Sequence, residues 1–172
     1  MLIRKIFFAW LLATVVTSCQ VAKTTRIFIV RHADRLPTDG LKPEGIVRAE
    51  ELKRVLGNAG IDSIFSTDFV RTTKTVQPIA DQLHLPVILY SNNTLLLTRI
   101  LNNSKGKTLL VAGHSDTVPE LIQQCGCTPP FPVIPDTQFD NLFLVILQKE
   151  KINHHTTTSC KVLRLRYGAV TN

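Results

Sequence analysis

The segment FIVRHADR, residues 28–35, joins an apolar run to a cluster of charged and polar side chains. Residues 27–30 are all apolar and predict a buried strand. Arg31 and His32 follow that strand directly. Charged groups are seldom buried without a partner, so either this strand end reaches solvent or an anion binds there.

The rest of the chain alternates predicted strands with predicted helices. Strands are predicted at residues 25–30, 63–65, 86–89, 108–112, 141–148 and 161–167, and helices at 44–56, 69–83, 94–101 and 118–124. Asp68 is the predicted N-cap of the second helix, and the last two strands are predicted to form a hairpin around a polar turn at 151–159. This order predicts a three-layer α/β/α sandwich. Its sheet is mostly parallel, with helices on both faces and a C-terminal antiparallel hairpin.

The N-terminal segment has the features of an export signal. Two basic residues precede an apolar run from Ile6 to Val16, which is too short to cross a bilayer, since a spanning helix needs about 20 residues. The sequence VTSC at 16–19 resembles a bacterial lipobox, which implies cleavage before Cys19 and a lipid on that cysteine. An ordinary signal peptide with an accidental cysteine is the alternative. We therefore expect a lipoprotein signal at 1–18, a lipidated Cys19 with a tether at 19–24, and one domain at 25–172, anchored to a bacterial envelope membrane and facing the periplasm or the exterior.

Charge and cysteine content limit the choice of partners. Without residues 1–18, which hold Arg4 and Lys5, the net charge falls from +7 to +5, a mild excess that suits an anionic substrate or a membrane surface. The lack of a basic run and the 6% of aromatic residues argue against nucleic acid. Cys125, Cys127 and Cys160 do not have the spacing of a metal site, and His154-His155 lies near Cys160 only in sequence. A disulfide from Cys160 to either Cys125 or Cys127 stays open, as does the absence of one.

Polar residues follow several predicted strands, at the side of the sheet where the carboxyl ends of its parallel strands lie. His32 and His114 each follow a strand, and Arg71 lies in the first turn of the helix after the strand at 63–65. Because the carboxyl ends of parallel strands share one edge, these side chains are expected near Arg31. Two guanidinium groups can bind a phosphoryl group, and an imidazole kept neutral by the nearby positive charges can act as its acceptor.

Three motifs in chain order carry a family resemblance. They are RHA at 31–33, STD at 66–68 followed by Arg71, Thr72 and Thr75, and GHS at 113–115. They resemble the histidine phosphatase (phosphoglycerate-mutase-like) superfamily, and GHSDTVPELI at 113–122 and LRLRYG at 163–168 are similar to a small single-domain bacterial branch. The resemblance implies a phosphatase without a metal or other cofactor. It further implies a phosphohistidine on His32 and phosphate binding by Arg31, Arg71 and His114.

The general acid is not evident from the sequence. Mutases and many larger phosphatases of this superfamily resemble one another in a glutamate after the second motif, whereas residues 91–112 here contain no carboxylate. Asp116 and Asp34 are the candidates for the acid. As alternatives, Asp116 caps the following helix, and Asp34 pairs with Arg31 or Arg35. The missing glutamate argues for a phosphatase rather than a mutase.

The substrate and two other functions stay open. A small phosphorylated compound and a phosphoprotein both fit, with specificity expected from the loops at 36–42 and 129–135. GHSDT also resembles the nucleophile elbow of an α/β-hydrolase, although Thr117 stands where that elbow needs glycine. Its triad would draw on Ser115, on Asp136 or Asp140, and on His154 or His155. The third function is a lipid-anchored module that binds phosphorylated ligands without turnover.

Overall fold

The computed structural model describes residues 23–152 and 155–171. The predicted signal peptide at 1–18, Cys19 and His154 lie outside the described residues. Among the helices that are described, none has the length and hydropathy needed to cross a membrane.

Six strands and four helices make up the described part of the chain. The strands are β1 Lys23–Arg31, β2 Ser63–Thr67, β3 Val87–Tyr90, β4 Thr108–Gly113, β5 Asn141–Ile152 and β6 His155–Arg166. The helices are α1 Pro43–Leu56, α2 Val70–Leu83, α3 Asn93–Asn103 and α4 Thr117–Gln124.

All six strands join one sheet in the order β3-β2-β4-β1-β5-β6. The pairs β2–β3, β2–β4 and β1–β4 are parallel, whereas β5 runs antiparallel to β1 and to β6. The predicted mostly parallel sheet with an antiparallel C-terminal pair is confirmed.

The helices cover the two faces of this sheet in pairs. Successive strand residues face opposite sides, so Leu109 packs with α3 and α4 while Leu110 packs with α1 and α2. Both residues are fully buried, and each such side chain stabilises the fold by roughly 1.5–3 kcal/mol. The predicted three-layer arrangement follows from this packing.

The boundaries of the edge strands differ from prediction. β1 begins at Lys23, so the last two residues of the predicted tether belong to the sheet. β5 and β6 continue to Ile152 and His155, so most of the segment predicted as a polar turn is paired backbone. At the sheet edge, polar residues such as the exposed Thr158 do not need burial, so polarity alone is a poor sign of a turn there.

A disulfide joins Cys127, just after α4, to Cys160 in β6. Cys125 is a free buried thiol, and burial raises its pKa to about 12. The sequence left both pairings open because Cys125 and Cys127 are only two positions apart. In the fold, Cys127 is the residue whose Sγ reaches β6.

Candidate active site

The ends of β1 and β4 lie side by side, and each leads into a histidine. Arg31 pairs in register with Gly113, and the backbone N–H of His32 donates to the Gly113 carbonyl at 2.9 Å. The rings of His32 and His114 consequently approach edge-to-face, with centroids 5.6 Å apart. The sheet thus brings together two histidines that are far apart in the sequence.

One hydrogen bond fixes the tautomer of His32. Its Nδ1 lies 2.8 Å from the carbonyl oxygen of Ala33, and because that oxygen can only accept, Nδ1 carries the proton and Nε2 has a free lone pair. Burial, together with the positive charges of Arg31 and Arg71, lowers the pKa of His32 to about 3. His32 is therefore neutral at physiological pH, in the form that a nucleophilic imidazole requires.

Two helices hold the backbone that follows β1. The N–H of Ala33 donates to Oγ1 of Thr75 in α2 at 2.8 Å. In α1, a Cβ on Gly45 would lie 2.2 Å from the carbonyl oxygen of Asp34, so only glycine allows this close approach. The segment that follows His32 is thus fixed by α1 on one side and by α2 on the other.

Arg31 is held by the segment that precedes β5. Its Nη1 donates to the carbonyls of Pro135 and Asp136 at 2.9 and 3.0 Å. A third bond from Nη1 reaches the Gln138 carbonyl at 3.2 Å, and Nη2 lies 3.4 Å from the Asp136 carboxylate. The guanidinium also stacks on Phe139, with its Cζ 4.4 Å from the ring centroid. Burial lowers the pKa of Arg31, and these carbonyls determine the orientation of its fork.

Arg71 occupies the first turn of α2, whose N-terminus differs from prediction. The N-cap is Phe69, with no side-chain cap bond, so the prediction for Asp68 is wrong. A carboxylate from another segment, Asp39, accepts from the N–H of Val70 at 2.9 Å and forms an ion pair with Arg71. The Arg71 guanidinium also stacks on the Phe69 ring, at 4.2 Å from the centroid.

His114 is oriented by two threonines. Its Nε2 lies 2.9 Å from Oγ1 of Thr67, at the end of β2, and its backbone N–H donates to Oγ1 of Thr117 at 2.8 Å. The Phe69 ring packs edge-on against the imidazole, with centroids 5.0 Å apart. Burial, followed by the positive charge of Arg71, lowers the pKa of His114.

One cavity of about 310 Å³ is lined by all four predicted site residues, Arg31, His32, Arg71 and His114. It is called the phosphate cavity here, after the ligand expected from the sequence. Nε of Arg31, Nε of Arg71 and Nδ1 of His114 are buried, and within the described residues they have no hydrogen-bond partner. A buried polar group without a partner costs roughly 1–3 kcal/mol. The three residues that carry these nitrogens line the cavity, and two of them are arginines, so the cavity suits an anion that accepts hydrogen bonds.

The two candidate acids have different environments. Asp116 lines the phosphate cavity and also caps α4, because its Oδ1 accepts from the N–H of Thr117 at 2.8 Å. Asp34 lies 2.7 Å from Nε of Arg48, whose side chain is only 3% exposed. The prediction that Asp34 pairs with Arg31 or Arg35 is therefore wrong, because the packing of α1 brings Arg48 to it. Asp34 does not line the phosphate cavity.

The α/β-hydrolase triad is not assembled by the described residues. Ser115 lines the phosphate cavity, but Asp140 is fully buried and bonded to Thr171 and Arg166. His155 begins β6 at the opposite end of the sheet from Ser115, since β5 and β6 meet there beyond the start of β1. His154 lies outside the described residues, and the carboxylate of Asp136 pairs with Arg31.

Sequence reasoning missed several residues that shape the site. Phe69 and Phe139 stack on the two arginines, and Asp39 binds Arg71, but none of the three belongs to a motif that was singled out. Thr67 stood within the second motif without an assigned role. Arg35 lines the phosphate cavity, and its place in FIVRHADR was the available signal.

Family comparison supports the resemblance inferred from the motifs. The model of the histidine phosphatase superfamily (branch 1) matches residues 26–92, which include Arg31, His32 and Arg71. No curated protein sequence gives a significant match.

Solved structures share the fold over most of their length. Mycobacterial hydrolase 2 has a TM-score of 0.67 at 11% identity, covering 86% of this chain and 93% of that one. A mycobacterial glucosyl-3-phosphoglycerate phosphatase in complex with VO3 has a TM-score of 0.59 at 13% identity, covering 80% and 98%. A putative alpha-ribazole-5'-P phosphatase from Escherichia coli has 0.55 at 13%, covering 78% and 95%. At these identities the likeness establishes a common fold.

Proposed function

We propose that this chain, a member of the histidine phosphatase superfamily, is a phosphatase that acts on phosphomonoesters or on a phosphoprotein through a phosphohistidine on His32. One observation carries the proposal. Arg31, Arg71 and His114 each carry a buried nitrogen that has no partner among the described residues, and all three side chains line the cavity that His32 also lines. An anionic oxygen is the acceptor that would satisfy these groups.

In the first step the free Nε2 of His32 attacks phosphorus. The Nε2–P bond forms while the bond from phosphorus to the leaving oxygen breaks, and that oxygen takes a proton from an acid. The hydrogen bond from Nδ1 to Ala33 keeps the ring in the reactive tautomer throughout. Arg31 and Arg71 hold the transferring group and balance its charge, so the reaction proceeds without a metal.

In the second step water attacks the phosphohistidine. The water oxygen bonds to phosphorus, its proton passes to the carboxylate that acted as the acid, and the P–Nε2 bond breaks to release phosphate. Asp116 is the better choice for this carboxylate, because it lines the cavity while Asp34 is engaged with Arg48. One oxygen of Asp116 is bonded to the Thr117 N–H, which leaves the other for proton transfer.

Trapping the intermediate tests the mechanism. The native protein should release phosphate from a panel of phosphomonoesters and, after a rapid acid-free denaturing quench, carry phosphate that is stable to base and labile to acid. His32→Ala should lose both properties, with kcat at least about 10³-fold lower, because it removes the nucleophile. His84→Asn, at an exposed position in α2's C-cap, is the matched control.

The other outcomes identify the alternatives. Phosphate binding without hydrolysis of any phosphomonoester would favour the binding module. Esterase activity that survives in His32→Ala but not in Ser115→Ala would favour the hydrolase. Loss of phosphatase activity on chelation would contradict the metal-free mechanism.

We further propose that the protein is exported and anchored to the membrane by a lipid on Cys19. The lipobox-like sequence supports the anchor, and the Cys127–Cys160 disulfide supports an oxidising compartment outside the cytosol. Mass spectrometry of the membrane-extracted protein should show an N-terminal diacylated cysteine. A chain recovered from the soluble fraction with residues 1–18 still attached would contradict this.

A further inference from the structure

A second cavity, called the basic recess here, adjoins the phosphate cavity. Its volume is about 480 Å³, and Arg35, Pro37, Lys42 and Phe139 contribute to its lining. The two cavities have Arg31, Arg35 and Asp136 in common. A substrate whose phosphoryl group is bound beside His32 therefore has room to extend its leaving group into the basic recess.

The charge of the basic recess is positive. Asp136 is its only acidic lining residue among those described, and this carboxylate pairs with Arg31. Arg35 and Lys42 are exposed, and within residues 23–152 and 155–171 their side chains form no ion pair or hydrogen bond. Two positive charges are therefore free to bind an anionic group.

A tight loop fixes the relative position of the two basic residues. Arg35 forms an antiparallel bridge with Leu41, and the N–H of Lys42 donates to the Asp34 carbonyl at 2.9 Å, so the two residues stand on opposite arms of one loop. At the tip, Asp39 binds the first turn of α2. Because the loop is tied to both neighbouring segments, little conformational entropy of its backbone is lost when a ligand binds there.

We propose that the basic recess binds a second anionic group of the substrate, so that the preferred substrate is a phosphomonoester whose leaving group carries a carboxylate or another phosphate. The inference rests on the proposed phosphatase function. Arg35 and Lys42 are then specificity-determining residues, which select the leaving group by charge while Arg31 and Arg71 bind the group that is transferred.

Two pairs of substrates that differ in this charge test the proposal. Glycerol 3-phosphate is compared with 3-phosphoglycerate, which adds a carboxylate, and glucose 6-phosphate with glucose 1,6-bisphosphate, which adds a phosphate. The native protein should hydrolyse at least one charged member with a kcat/KM roughly tenfold above that of its neutral partner. The favoured pair tells which anion the recess accepts, and the preference should shrink as the salt concentration rises.

Substitutions locate the source of the preference. Lys42→Gln and Arg35→Gln should each lower about threefold the ratio of kcat/KM for the charged substrate to kcat/KM for its neutral partner. The change should appear mainly in KM, because the lost contact is made equally in the bound substrate and in the transition state. Lys74→Gln, which removes an equal charge from the exposed face of α2, is the matched control and should leave the ratio unchanged.

Binding measurements separate this proposal from the proposed function. The four compounds are titrated calorimetrically into His32→Ala, with and without Lys42→Gln. Equal kcat/KM within both pairs, or a preference that Lys42→Gln and Arg35→Gln leave intact, would overturn the role of the basic recess. When none of the four compounds is hydrolysed, the phosphatase proposal fails only if the phosphomonoester panel and the trapping of phosphohistidine also give nothing. In that case, tighter binding of a charged member that depends on Lys42 still supports the recess, and its absence overturns it.

Discussion

His32 should make the stability of the protein depend on pH in the acidic range. The pKa of this buried imidazole is lowered from 6.5 to about 3 in the folded protein, mainly by burial. An unfolded chain takes up the proton near pH 6.5, whereas the folded protein resists it. The contribution of neutral His32 to stability is therefore complete above pH 6.5, and it is lost as the pH falls from 6.5 towards 3.

The size of this effect follows from the pKa difference. One pKa unit corresponds to about 1.36 kcal/mol, so between pH 7.5 and 4.5 the His32 contribution falls by about 3 kcal/mol. Urea denaturation at the two pH values gives the free energy of unfolding of the native protein and of His32→Gln. The native protein should lose about 3 kcal/mol more than the variant over this interval.

Comparing the pH-dependent loss of stability in the native protein with that in His32→Gln isolates the contribution of His32. Other titrating groups, including His114 and the carboxylates, contribute to both proteins and cancel to first order. His84→Asn should behave as the native protein does. The reasoning is refuted if His32→Gln loses as much stability between pH 7.5 and 4.5 as the native protein, because His32 would then titrate alike in both states. A confirmed shift also predicts that phosphatase activity persists into the acidic range, since His32, the proposed nucleophile, stays neutral there.

Three other substitutions test the assignment of the acid and of the disulfide. Asp34→Asn should lower the free energy of unfolding by about 2–3 kcal/mol, because buried Arg48 loses its charged partner, while the folded protein stays active; Asp116→Asn should leave stability nearly unchanged and lower kcat roughly 10²-fold or more. Urea denaturation and phosphate release distinguish the two, and the opposite pattern would make Asp34 the acid. Cys127→Ser should lower the free energy of unfolding by about 3–4 kcal/mol relative to the oxidised native protein, from the loop entropy of a 33-residue separation. If the variant is less stable than the reduced native protein by the same amount, a disulfide at this position is contradicted.

The positions of the strands were predicted better in the interior of the sheet than at its edge. Apolar runs such as 108–112 carry enough signal to place a buried strand, because both faces of a central strand must be apolar. The hairpin β5–β6 was underestimated, because residues on an edge strand satisfy their backbone groups without becoming buried. The choice between Cys125 and Cys127 likewise depended on which of the two sulfurs the fold brings next to Cys160 in β6.

The local sequence was sufficient to predict that Arg31, His32, Arg71 and His114 share one site, since strand ends and helix starts follow from periodicity and parallel strands end at a common edge. It could not predict partners supplied by distant segments. Asp39 accepts a hydrogen bond from the first turn of α2, because the loop that carries it closes onto that helix. Arg48 forms an ion pair with Asp34, because α1 packs against the segment after β1. The sequence alone therefore determined which residues could do the chemistry. The tertiary structure decided the tautomer of His32, the carboxylate that lines the cavity and the basic recess beside it, because each depends on contacts between residues far apart in the chain.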